Sequence, residues 1–215
     1  MNKNEKFVIT INRELGSGGR TVGRLLAQRL GVEFYDKAQL QALQEKFNLT
    51  PEEIEKLKGS EHGTWVELQR VARSADGYEL VKERVWKTNP GEEEQETTTE
   101  DMFKVESELL LGLAEAGSCV VAGRSGFHIF RNHPNHLSVL IQASMDSRVE
   151  RVARKQNLSP EEARRVIDRV DQMRETYVNH YTGTSRYDTR NYQLVICADG
   201  KTEEQLADLI LNYIG

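Results

Sequence analysis

Three glycines, an arginine and a threonine fall within six residues, Gly16-Ser17-Gly18-Gly19-Arg20-Thr21, and these residue types at this spacing can hold a phosphate. Glycines let consecutive backbone N–H groups converge on one anion, and a helix starting there adds about half a positive charge at its N-terminus. Arg20 can grip phosphate with a planar fork of donors. Thr21 can offer its hydroxyl to a magnesium ion or a phosphate oxygen. The Walker pattern G-x-x-x-x-G-K-[ST] fits in two registers, both incomplete. In one, Gly19-Arg20-Thr21 stands for G-K-T, with Arg20 replacing the lysine and Glu14 the first glycine. In the other, Gly18-Gly19-Arg20 takes those places and the lysine is lost. The plainer alternative is a connecting loop whose glycines serve turn geometry only.

A second candidate, Asp36, follows Val32-Glu33-Phe34-Tyr35. Ligands of open α/β sheets bind at the carboxyl ends of the strands, so a carboxylate there can order Mg²⁺ or position an acceptor. It can equally cap the helix that begins at Lys37. His128, His133 and His136 lie close together, but without cysteine or carboxylate at ligand spacing they do not read as a zinc site.

These groups need elements to position them. Five short apolar runs, Phe7–Asn12, Val32–Tyr35, Ser118–Ala122, Leu137–Gln142 and Tyr192–Cys197, alternate with helical patterns. That alternation predicts an α/β fold, a parallel sheet with helices on both faces. Thr50-Pro51-Glu52-Glu53 and Ser159-Pro160-Glu161-Glu162 each combine an N-cap, a proline at the first helical position and a capping-box glutamate, and Thr202 to Gln205 opens a last helix similarly. More than eighty residues separate the second and third strands. Helices are expected near 37–48, 51–58 and 65–86, then a solvated loop over 87–99 rich in glutamate. Along 159–182 the residues Ala163, Val166, Ile167, Val170, Met173, Tyr177 and Tyr181 recur at helical spacing and predict a packed face, with Arg174 inside its edge and Asp171 just beyond.

At 215 residues the chain reads as a single domain over 1–215, and 38% hydrophobic residues suffice for a core. A net charge of −5 argues against broad nucleic-acid binding. No apolar run reaches membrane-spanning length, and the N-terminal residues lead into a strand without an apolar leader. Cys119 and Cys197, both in expected interior strands, read as free core thiols, so the expected setting is the cytoplasm.

Taken together and in order, several segments resemble the cytidylate-kinase-like branch of the P-loop nucleoside monophosphate kinases. Val120-Val121-Ala122-Gly123-Arg124-Ser125-Gly126 is similar to that family's strand and Gly-Arg-Asp turn. Leu137 to Ser144, through Arg148 and Arg151, looks like its next strand and the start of its lid. Asp168-Arg169-Val170-Asp171-Gln172-Met173-Arg174 resembles its Arg-Asp-x-x-Asp-x-x-Arg helix. Gly19 stands where the family has its phosphate-loop lysine, Ser125 replaces the turn's aspartate, and Ile167 replaces the helix motif's first arginine. Asp36 matches a family aspartate, Lys37 takes the place of a serine, and Ala42 stands where an arginine would hold substrate.

The resemblance implies a three-layer P-loop kinase fold with a five-stranded parallel sheet and a helical lid. Residues 37–100 would form a helical substrate-side insertion with an acidic loop, and 145–183 the lid and long substrate helix. It implies ATP and Mg²⁺, with ATP phosphates on Gly16, Ser17, Gly18, Gly19, Arg20 and Thr21 and an arginine such as Arg151 closing over them. Thr21 and Asp36 would serve the metal, and Arg20 and Asp36 the transfer. Lys37, Arg124, Asp171 and Arg174 would hold the acceptor, a CMP-like nucleotide or similar small molecule, with the two arginines on its phosphate and Asp171 on a sugar hydroxyl. Two other readings stay open: a nucleotide-binding sensor that has lost transfer, and a kinase for a non-nucleotide acceptor.

Overall fold

The computed structural model describes residues 1–46, 49–50 and 100–215. The expected helices at 51–58 and 65–86, the Thr50 capping box and the 87–99 loop lie outside the described residues. The strands are β1 (Val8–Arg13), β2 (Glu33–Tyr35), β3 (Cys119–Ala122), β4 (His136–Gln142) and β5 (Leu194–Cys197). They form one sheet of order β2-β3-β1-β4-β5 in which every pairing is parallel. Each falls within two residues of its expected run. The helices are α1 (Gly19–Leu30), α2 (Lys37–Lys46), α3 (Glu100–Ala116), the single turn α4 (Gly126–Ile129), α5 (Met145–Gln156), α6 (Pro160–Thr182) and α7 (Glu203–Ile214).

Alternation along the strands builds two cores. Ile9 and Ile11 of β1, with Val120, Val139 and Ile141, pack against Val22 and Leu26 of α1 and Leu206 and Ile210 of α7. Val8 and Val121 face the other way, onto Leu40 of α2, Leu109, Leu110 and Leu113 of α3, and Phe130. A sheet covered on both faces has no polar side to show, which is why its strands read as continuous apolar runs. Helix α3 was not among the expected elements, although its apolar Leu109, Leu110 and Leu113 recur at helical spacing. Both remaining capping boxes form: Ser159 and Glu162 close α6, and Thr202 and Gln205 close α7.

Two expectations are corrected. Cys119 is buried, but Cys197 is exposed because β5 is an edge strand with one side open. On α6 it is Asp171 that is buried, with Arg174 only partly so. The carboxylate turns inward because arginines from outside the helix meet it there.

The His136 ring is engaged within the sheet, and no cluster of three or more potential metal ligands is found among the described residues. Its Nε2 lies 2.8 Å from Thr10 Oγ1. Burial first, then His133, pushes its pKa from 6.5 down to about 4. The imidazole is therefore neutral when folded but takes up a proton when unfolded between those values, so stability falls as pH drops through that window. The loss should approach about 2–3 kcal/mol. Urea unfolding at pH 7 and 4.5 should show a smaller pH dependence in His136→Gln than in the native protein.

Candidate active site

Strand β1 ends at Arg13, and the chain turns through Glu14 to Gly18 before α1 begins. Gly16 has φ +87°, and a Cβ there would lie 2.9 Å from the Arg148 carbonyl oxygen, so only glycine lets the turn approach α5 this closely. Gly18, at φ +83°, is the N-cap of α1. The N–H groups of Gly19, Arg20 and Thr21 in the first turn have no carbonyl within the helix to bond.

A buried ionic network sets the turn's shape. Glu14 accepts from the Ala143 N–H at 3.0 Å through one carboxylate oxygen, and its other oxygen lies 3.2 Å from Arg148 Nη1. Arg148 Nε donates to the Leu15 carbonyl at 3.0 Å, and its Nη2 pairs with Asp171 Oδ2. Asp171 Oδ1 accepts the Leu15 N–H at 3.1 Å. Removing one partner from such a network strands buried charge, at a cost of about 3–5 kcal/mol. Arg148→Met should lose stability on that scale in denaturant titrations, and more than Arg154→Met, whose side chain is exposed.

Arg20, expected over the phosphate turn, points elsewhere. Its Nε donates to Asp36 Oδ2 at 2.7 Å. Asp36 is buried, its Oδ1 accepts the Gln39 N–H at 3.2 Å, and its own N–H donates to Gln39 Oε1 at 3.2 Å. The carboxylate thus caps α2 and anchors Arg20 at once. Arg151 does reach the turn: its Nη1 would lie 3.0 Å from a Cβ on Gly18, and it is paired with Glu203.

Beside the turn, at the carboxyl ends of β1 and β3, opens a cavity of about 740 Å³. The helices after these neighbouring strands pack on opposite faces of the sheet, which makes the crevice between them a binding position. Its floor is Thr10, Asn12 and Arg13, one wall is Gly123 to Phe127, and the other is α6 with Arg174, Tyr177 and Tyr181. Lys37 and Arg124 also line it. Lys37, Arg124 and Arg174 therefore share one space, while Asp171 stands behind it, joining turn to wall. The oxygens expected to reach a sugar hydroxyl are instead held by Leu15 and Arg148.

The wall at Gly123 is conformationally unusual. Gly123, Arg124 and Ser125 have φ of +79°, +53° and +52° in succession. For the two non-glycine residues this costs on the order of 1 kcal/mol each. Arg124 pairs with Glu106, a buried residue of α3, and its guanidinium carbon stands 4.8 Å over the Tyr177 ring. The hydroxyls of Ser125 and Tyr177 are buried without a hydrogen-bond partner among the described residues, and burial raises the Tyr177 pKa.

Two arginines that sequence reasoning passed over dominate the charge. Arg186 is only 1% exposed. Its Nη2 donates to the Arg13 carbonyl, its Nη1 is 3.5 Å from Asp171 Oδ1, and its Nε has no hydrogen-bond partner among the described residues. The Arg186 carbonyl accepts the Tyr192 hydroxyl at 2.7 Å and Asn12 Nδ2 at 3.2 Å, which fixes the loop after α6 to β1. Burial, Arg174 and Arg186 together push the Arg13 pKa down to about 9. The Arg186 pKa is lowered by burial and by Arg174. Burial and mutual repulsion outweigh the carboxylates beside these cations, and a negatively charged ligand in this cavity would offset both. Arg13 had one readable signal, its place at the carboxyl end of a strand. Arg186 had none, because it lies in a loop without periodicity.

A parallel sheet of this order, with a glycine turn leading from the first strand into a helix, is the P-loop kinase fold. The chain belongs to the cytidylate kinase-like family, whose model matches residues 8–199. No curated protein matches the sequence. An uncharacterized protein from Eubacterium ventriosum has a similar structure over 98% of both chains, at 21% identity and a TM-score of 0.66. Shikimate kinase from Bacteroides thetaiotaomicron is similar over 97% of this chain and 98% of its own, at 16% identity and a TM-score of 0.52. At such identities the likeness concerns the fold alone.

Proposed function

We propose that the protein is a small-molecule phosphotransferase. It takes the triphosphate of ATP on the Gly16–Thr21 turn and an anionic acceptor in the neighbouring cavity. The observation that carries this reading is Arg186, a fully buried guanidinium whose Nε has no hydrogen-bond partner among the described residues, grouped with Arg13 and Arg174 beside the turn. Phosphoryl transfer asks little covalent chemistry of a protein; it asks for cations placed around a transition state whose charge is spread over oxygens. Glycines at positive φ and the first-turn N–H groups of α1 suit a triphosphate. Mg²⁺ would neutralise the phosphate oxygens, with the Thr21 hydroxyl as a ligand and Asp36 acting through water, since its oxygens are engaged by Arg20 and Gln39. Arg151 would close over the phosphates.

Arg174 and Arg124 would hold the acceptor's phosphate and Lys37 its near side, which suits a CMP-like nucleoside monophosphate. The aromatic wall of Tyr177 and Tyr181 suits a planar base. A net charge of −5 fits a small-molecule rather than a nucleic-acid partner. No helix among the described residues is long and apolar enough to cross a membrane, and two free thiols fit a cytoplasmic setting. One observation favours the sensor reading: with Arg20 drawn to Asp36 and glycine at position 19, the turn's own sequence places no cation over its phosphates.

The deciding experiment incubates the protein with Mg²⁺–ATP and a panel of nucleoside monophosphates and small anionic metabolites, and detects ADP and phosphorylated product directly. A CMP-like acceptor should give its diphosphate. ATP binding by calorimetry with no product from any acceptor would favour the sensor. Arg174→Met should bind ATP within about twofold of the native protein, raise the acceptor KM and lower kcat/KM at least about tenfold, or 1.4 kcal/mol.

A further inference from the structure

Two of the loop's three departures from the Walker pattern occupy one volume. With Gly18 as the second glycine of G-x-x-x-x-G-K-[ST], the first glycine falls at Arg13 and the lysine at Gly19. The loop keeps one cation and one glycine and has exchanged their places. In the folded chain these residues touch. A Cβ on Gly19 would lie 2.6 Å from Arg13 Cβ, closer than side-chain atoms approach, and a tight 3.1 Å from its Cγ. The stem of Arg13 therefore occupies the space into which a side chain at position 19 would start. An arginine at 13 requires glycine at 19.

The head of Arg13 lies where that stem directs it. Its Nη1 fills the place of a Cβ on Gly123, so the guanidinium rests against the Gly123 turn and lines the cavity with Arg174 and Arg186. It stands between the phosphate turn and the acceptor space, where a terminal phosphate would have to sit to be passed from one to the other. The nearby carboxylates are shared among several cations: Asp171 among Arg148, Arg186 and Arg174, and Asp36 between Arg20 and Arg24.

We infer that Arg13 replaces the missing phosphate-loop lysine, supplying from the end of β1 the cation that binds the terminal phosphates of the nucleotide. The inference rests on the proposed triphosphate site and adds which side chain completes it. Its depressed pKa agrees, because a triphosphate would offset the burial and the repulsion from Arg174 and Arg186 that lower it. Arg13 remains charged throughout and exchanges no proton; its role is to bind and neutralise the phosphate oxygens.

The test measures binding of a non-hydrolysable ATP analogue with Mg²⁺ by calorimetry, with melting temperatures as a control for folding. Four chains are compared: the native protein, Arg13→Met, Gly19→Ala and the double variant Arg13→Gly/Gly19→Lys. Arg13→Met keeps the stem and removes the charge, and should weaken binding at least tenfold. Gly19→Ala should weaken it as well by displacing the arginine. The double variant restores a glycine and a lysine at the Walker positions, and should recover binding to within about threefold of native. Binding by Arg13→Met within twofold of native would overturn the inference while leaving the triphosphate site standing. A folded double variant that recovers nothing would overturn the exchange of places. Failure of the native protein to bind the analogue would remove the triphosphate site itself, and the inference with it.

Discussion

The buried carboxylate of Asp171 is the joint on which the site depends. One oxygen takes the Leu15 N–H and the other meets Arg148, with Arg186 Nη1 at 3.5 Å and Arg174 Nη1 at 3.8 Å from the first. Four parts of the chain meet there: the glycine turn, α5, α6 and the loop after α6. In a low-dielectric interior such a group is costly unless every lone pair is met, and here every partner belongs to a different element. The position of the turn relative to the cavity is thereby fixed by charge as well as by packing. Leu15, next to the bonded backbone, packs with Val152, Ala163 and Ile167 and closes the same joint apolarly.

Positive charge gathered in front of that joint gives the cavity its character. Arginines normally hold their protons against any environment, so cations that lower one another's pKa mark a place where the fold has spent stability. The left-handed backbone at Arg124 and Ser125 is a second such expense, on the facing wall. Both lie at the carboxyl ends of β1 and β3. A preorganised cluster of this kind needs no rearrangement when an anion arrives, which is the condition under which electrostatic stabilisation of transferred phosphate is strongest.

Arg20 and Asp36 show how a motif read in isolation can mislead. The turn's own arginine follows Gly19 in sequence, yet the rotation of α1 carries it toward the end of β2, where Asp36 waits. The cations beside the glycine turn come instead from the strand before it, at Arg13, and from α5, at Arg148 and Arg151. Reading Asp36 as a helix cap was sound, since Gln39 completes a reciprocal pair of bonds with it.

Local chemistry determined much of this protein before any coordinates. The five strands were legible because a sheet buried on both faces leaves uninterrupted apolar runs, and the starts of α6 and α7 because a capping box lies within four residues. The turn between β1 and α1 was legible for the same reason, because its glycines are adjacent in sequence and two of them hold positive φ. The burial of Asp171 was not. Helical periodicity placed it just outside the packed stripe, and only arginines contributed by α5 and by the loop at Arg186 turn that position into an interior one. The meeting of Arg13 and Arg186 was silent too: they are 173 residues apart, and their bond exists only because the loop after α6 is brought to the carboxyl end of β1. Patterns of a few residues record propensity and capping, whereas a cluster of like charges is a property of what the whole fold places within a few ångströms.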